Sequence, residues 1–72
     1  MFTVRLYFHR RTNEIELPKN ISLVDDEGVR SIYLMDGPVK RFYGRVITVK
    51  AETKADVDAW LEGDTQVFMD PV

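Results

Sequence analysis

Apolar and polar residues alternate at the beginning of the chain, over residues 2–11. One side of this segment would carry Phe2, Val4, Leu6 and Phe8, and the other side Thr3, Arg5, Tyr7, His9 and Arg11. Alternation with a period of two predicts a strand with one buried face. Residues 14–17 alternate again after a turn-forming stretch, so the sequence predicts a hairpin made from these two segments.

The next segment, residues 21–36, fits two structures. Ser22 followed by Asp25 has the spacing of a helix capping box, and Gly37-Pro38 would end a helix. The apolar residues of this segment, however, scatter right round a helical axis. Two strands joined by the polar stretch "DDEG" are the better fit, because glycine-containing loops of this length are typical of hairpins. Helix and hairpin both stay open at this point.

The rest of the chain predicts a strand, a helix and a strand. Residues 39–50 form a strand, and Thr53 with Asp56 forms a capping box that begins a helix over residues 54–62. Trp60 is expected to anchor this helix in the core, and residues 65–69 form a last strand. The prediction is a single α+β domain over residues 1–72, an antiparallel β-meander of four to five strands with one short C-terminal helix followed by a final short strand.

Strand alternation also predicts a basic, aromatic sheet face. If Phe42 and Val46 point into the core, Arg41, Tyr43 and Arg45 point outward and join the polar side of the first strand. This surface suits a partner, since arginine and tyrosine are favoured at interfaces and can also contact phosphates and bases. The predicted partner-binding residues are Arg5, Tyr7, His9, Arg11, Tyr33, Arg41, Tyr43 and Arg45.

The charge distribution offers an alternative binding surface. Residues 1–50 carry nine Lys and Arg against six Asp and Glu, whereas residues 51–72 carry one lysine against six carboxylates. The acidic helix could occupy a groove of a partner that normally takes phosphates. The alternative acidic surface consists of Asp56, Asp58, Glu62 and Asp64.

The sequence contains little that indicates catalysis or metal binding. It has one histidine, two serines and no cysteine, and it lacks a glycine-rich phosphate loop. The acidic stretch from Asp25 to Glu27 does not have the spacing of a calcium loop. We therefore expect no catalytic residues, no cofactor and no metal. The longest apolar run has only four residues, so we expect no membrane segment and a cytoplasmic location.

These observations predict a small non-enzymatic regulatory or inhibitory protein that binds another protein. A nucleic-acid-binding module that uses the basic, aromatic face is the rival prediction. Small, acidic, cysteine-free domains include accessory proteins of phages and mobile elements that bind host machinery, although no motif of this chain carries that likeness. A homodimer is also expected, because a chain of 72 residues has a thin core and its final strand would leave a sheet edge exposed.

Overall fold

The described part of the chain forms one four-stranded antiparallel sheet with a single short helix. The computed structural model describes residues 1–9, 14–32, 42–64 and 66–71. Its elements in chain order are β1 (Phe2–Phe8), β2 (Ile21–Ile32), β3 (Phe42–Ala51), α1 (Lys54–Trp60) and β4 (Val67–Pro71). The predicted α+β class, with one short helix followed by a final short strand, is confirmed.

The strand order in the sheet is β2-β3-β1-β4. β1 pairs with β3 on one side, where Leu6 lies opposite Ile47, and with β4 on the other, where Leu6 lies opposite Met69. Of the four described strands, β2 pairs with β3 alone, so β2 and β4 are the two edges of this sheet. The strand that comes first in the sequence is therefore an interior strand of the sheet.

The core lies on the side of the sheet that α1 covers, which we call the helix face; the other side is the far face. On the helix face the alternate residues of β1 meet those of β3, and α1 places Val57 against them with 0% of its surface exposed. Burial of large apolar side chains is the main stabilising contribution to such a fold. The buried core residues are Val4, Leu6, Phe8, Ile21, Ile47, Val49, Ala51 and Val57.

Residues 21–32 form one continuous strand, so neither a helix nor a hairpin describes this segment. The pairing of β2 with β3 is shifted between Leu23 and Asp25 and again between Asp26 and Gly28. Each shift is a β-bulge with one extra residue, and Gly28 accommodates the second one with a φ of 72°. The polar stretch that resembles a hairpin loop is thus the bulged middle of an edge strand. Residues 33–36 lie outside the described residues.

The hairpin predicted from residues 2–11 and 14–17 is also wrong. Residues 14–18 have no regular secondary structure, and β1 has β3 and β4 as its neighbours instead. Ile15 and Leu17 nevertheless pack against the core. Their alternation comes from a segment that turns two apolar side chains inward without joining a hydrogen-bonded ladder. Residues 10–13 lie outside the described residues.

The helix begins as predicted, with a capping box at its first turn. The Asp56 carboxylate accepts hydrogen bonds from the Thr53 backbone N–H at 3.4 Å and from the Thr53 hydroxyl at 3.2 Å. Gly63, with a φ of 81°, follows soon after the helix ends. Trp60 is not the buried anchor, because it is only partly buried against Phe8 while Val57 is fully buried.

The final strand is displaced by two residues from its predicted position, and the strand before it ends one residue later than predicted. β3 extends to Ala51, and β4 begins at Val67 and runs to Pro71 instead of covering residues 65–69. Residues 39–41 and 65 lie outside the described residues.

Candidate functional site

The pairing of β1 with β3 divides the predicted basic, aromatic face between the two sides of the sheet. Tyr7 lies opposite Val46, and Arg45 lies opposite Phe8. Residues directly opposite each other in an antiparallel pair point to the same face. Arg5 and Tyr7 therefore belong to the far face, and Arg45 belongs to the helix face with the core. The prediction that all these residues share one surface is wrong.

In the first half of β3, burial does not mark the core side, because Val46 is buried on the far face whereas Tyr43 on the helix face is exposed. The second half alternates clearly, with Ile47, Val49 and Ala51 buried and Thr48 and Lys50 more exposed. Extending that alternation backward puts Arg45 and Tyr43 on the core side. Val46 is buried as well, but it lies in a second, smaller cluster on the far face. This burial on both faces hides the correct assignment.

On the far face, aromatic rings contact one another where β1 meets β4. Tyr7 is 4% exposed and stacks on Phe68, with ring centroids 5.2 Å apart and an interplanar angle of 14°. The exposed His9 ring contacts the same Phe68 at 5.0 Å. Tyr7 is thus a packed residue in the monomer. Three other predicted partner-binding residues, Arg11, Tyr33 and Arg41, lie outside the described residues.

Arg5 interacts with groups of the protein itself on the far face. A hydrogen bond to the Tyr7 side chain raises the pKa of Arg5, and the nearby charges of Glu27 and Asp70 add to this effect. The Nε atom of Arg5 is buried and has no hydrogen-bond partner among the residues that the structure describes. The Arg5 guanidinium therefore interacts with other side chains of the same molecule, and its Nε atom is shielded from solvent.

Arg45 on the helix face forms an ion pair with Asp26 of β2. Its Nε donates to Asp26 Oδ1 at 3.3 Å, and its terminal nitrogen donates to Oδ2, so the pair is bidentate. The two side chains are only 16% and 29% exposed. The bulges of β2 make this contact, because they bring Asp26, and not its neighbours Asp25 and Glu27, opposite Ile47 on the helix face.

This ion pair predicts an acid-dependent loss of stability. The hydrogen bonds from Arg45, followed by the Gly28 N–H, lower the pKa of Asp26. A carboxyl whose pKa is lower in the folded state stabilises the fold above its unfolded pKa of about 4, and this contribution disappears as pH falls through the folded pKa. Urea unfolding should therefore show the wild type more stable than Asp26→Asn at pH 7, with the difference shrinking below about pH 4. A difference that is independent of pH would contradict this assignment.

The residues of the alternative acidic surface have mostly local contacts. Asp56 belongs to the capping box, Asp58 lies 3.9 Å from Lys54, and Asp64 Oδ1 accepts a hydrogen bond from the Gln66 N–H at 2.9 Å. Glu62 is exposed. Capping and turn formation explain much of this acidic pattern in structural terms.

Sequence interpretation missed an apolar surface beside the Arg45–Asp26 pair, which we call the β2 patch: Leu23, Val24, Val29 and Tyr43. These large side chains are 39–54% exposed. Leu23 and Val29 lie on the helix face to either side of Asp26. The signal that could have revealed the patch is the apolar sequence on both sides of the "DDEG" stretch, which would be exposed if that strand lay at an edge.

Within the described ranges, no three histidine or acidic side chains converge as metal ligands would. The single helix in this part of the chain is too short to cross a bilayer. The chain matches no family model, no curated protein and no solved structure.

Proposed function

We propose that this chain is a small non-enzymatic regulatory or inhibitory protein that acts by binding another protein. The observation that supports this most is the β2 patch. Its four large apolar side chains are 39–54% exposed on two neighbouring strands. They lie beside the Arg45–Asp26 ion pair, whose two charges neutralise each other. Apolar surface grouped in this way is typical of a protein interaction site, whereas singly scattered residues need no explanation.

The charges around the β2 patch indicate which kind of partner would fit it. Asp25 lies opposite Thr48 on the far face, and the charge of Glu27 acts on Arg5, which is also on the far face, so neither carboxylate borders the patch. Asp26 is already neutralised by Arg45. The complementary surface would therefore be mainly apolar, since Arg45 and Asp26 beside the patch already satisfy each other.

Among the residues that the structure describes, the arrangement of the arginines favours a protein over a nucleic acid as the partner. Most contacts to nucleic acids are made by basic side chains with phosphates. Arg45 is bound to Asp26, and Arg5 interacts with Tyr7 and nearby acids. Arg30 donates two hydrogen bonds to the Glu27 carbonyl. These contacts occupy side chains that a nucleic-acid interface would need to offer.

Affinity capture with and without nuclease separates the two partner classes. The untagged protein, coupled to a resin, is incubated with lysate from its source cells, and bound proteins are identified by mass spectrometry. A specific protein that remains bound after nuclease treatment supports the proposal. Binding that disappears with nuclease supports the nucleic-acid module instead.

Leu23→Lys should weaken binding of the captured protein by at least tenfold. The new side chain removes an apolar contact and places an unpaired charge in an apolar interface. The matched control is Ser22→Lys, an exposed neighbour on the same strand that pairs with Lys50 on the far face. Titration calorimetry with both variants measures the effect, with circular dichroism to verify that each is folded. Equal affinities of the two variants would exclude the β2 patch as the binding surface.

A further inference from the structure

The two edges of the sheet differ in how accessible their backbones are. In the middle of β2, the Gly28 N–H donates to Asp26 Oδ1 at 2.8 Å, and the Glu27 carbonyl accepts two hydrogen bonds from Arg30 at 3.1 and 3.0 Å. The two bulges also interrupt the regular spacing of this strand. Bulges and side chains that occupy backbone groups protect an edge from the addition of another strand. β2 is therefore a poor template for pairing.

β4 has a regular edge instead. It pairs with β1 through five consecutive residues without a register shift. The His9 N–H donates to the Gln66 carbonyl at 3.3 Å, so the backbone of Gln66 points toward β1. Because backbone direction alternates along a strand, Phe68 and Asp70 also bond toward β1, whereas Val67 and Met69 direct their N–H and C=O groups away from the sheet.

Pro71 is consistent with this alternation. It belongs to the set whose backbone points away from β1, since it lies two residues beyond Met69. Its missing N–H therefore removes no hydrogen bond from the sheet, which is where proline is tolerated in strands. Among the described residues, no strand lies beyond β4 to receive the outward groups of Val67 and Met69.

We propose that β4 pairs antiparallel with β4 of a second copy, so that the two sheets become one of eight strands. In the register centred on Phe68, Val67 lies opposite Met69 of the second copy, and their outward backbone groups bond to each other. Phe68 lies opposite Phe68 of the second copy, and Gln66 lies opposite Asp70 of the second copy. The register centred on Met69 is worse, because it sets Val67 opposite a proline without an N–H and Phe68 opposite a carboxylate.

The size of this contact predicts a weak dimer. Stable interfaces bury roughly 800 Å² per partner, which would be a large share of the 5151 Å² surface of this monomer. A strand of five residues contributes less than that, so the dimer should form at micromolar to millimolar concentration. The contact lies at the edge opposite the β2 patch and goes beyond the proposed function, since it needs no other partner.

Hydrogen exchange measured by NMR at several protein concentrations tests the contact directly. The amides of Phe68 and Asp70 should be protected at every concentration, because they bond to β1. The amides of Val67 and Met69 should become protected only as the concentration rises. A monomer at millimolar concentration, or concentration-dependent protection confined to β2, would overturn the proposal.

Two substitutions at one exposed position give an independent test. In the dimer, Gln66→Arg would create two pairs in which an arginine lies opposite Asp70 of the other copy. The dissociation constant measured by analytical ultracentrifugation should fall about fivefold. Gln66→Glu creates two like-charge pairs and should weaken self-association by a similar factor. Thermal unfolding at low concentration should be nearly the same for both variants, since Gln66 is exposed in the monomer. If neither variant changes the dissociation constant, the copies do not meet in this register and the proposal fails.

Discussion

Leu6→Ala is expected to lower the free energy of unfolding by about 3 kcal/mol. Leu6 is 0% exposed and lies on the interior strand β1, opposite Ile47 on one side and Met69 on the other. Truncating a leucine in such a site removes buried apolar surface and leaves a cavity that its neighbours cannot close. Because a domain of this size is only marginally stable, the loss would be a large part of its total stability. Urea unfolding followed by Trp60 fluorescence measures it.

The matched control for Leu6→Ala is the same substitution at Leu23, which is 48% exposed on the edge strand. There we expect a loss below about 1 kcal/mol, since most surface substitutions have small effects. Similar losses at the two positions would mean that the core does not lie between β1, β3 and α1.

Arg45→Glu should destabilise the protein by about 1–2 kcal/mol. Arg45 is mostly buried and bound through two hydrogen bonds to Asp26, so the substitution replaces an attractive pair by two carboxylates in partial isolation from water. The interpretation from sequence alone would place Arg45 on an outward face and expect little change. Chemical denaturation of this single variant therefore distinguishes the two assignments of β3.

Reversing the pair is the control for this effect. Asp26→Arg combined with Arg45→Glu restores opposite charges and should recover part of the stability lost in Arg45→Glu, which a double-mutant cycle would measure. Recovery will be incomplete, because Asp26 also accepts a hydrogen bond from the Gly28 N–H that arginine cannot replace. Additive losses in the double variant would show that the two residues do not interact.

Local sequence patterns located individual elements of the fold, but they did not predict which strands are neighbours in the sheet. Alternation located β1, and the Thr53–Asp56 capping box located the beginning of α1, because both signals arise from residues close in sequence. Strand order depends instead on which apolar faces meet. Residues 14–17 alternate like a strand but pack against the core as a loop, which no local signal distinguishes from a hairpin.

The candidate site was less predictable, because it depends on the phase of two strands relative to each other. A shift of one residue moves every side chain of a strand to the other face. In β3 the apolar pair Val46 and Ile47 allows either phase, and only the pairing with Leu6 and Val4 decides. The bulges in β2 have a similar effect, because each one changes which residues point to a given face. They place Asp26 on the helix face with Arg45, and the composition of the strand does not indicate this.

The interior position of β1 also determines the order in which the chain can fold. Val4 pairs with Val49 on one side and Pro71 on the other, so β1 can pair only after β3, and then β4, has followed it in the chain. β2 and β3 pair close to their connection, with Ile32 opposite Phe42, and can form a hairpin early. Closing the long loops around β1 costs entropy before any burial compensates for it, which slows folding. On the ribosome, β1 has no partner strand until β3 has emerged, and its other edge stays open until β4 follows, so this is the period in which the nascent chain is most prone to aggregate or to need a chaperone.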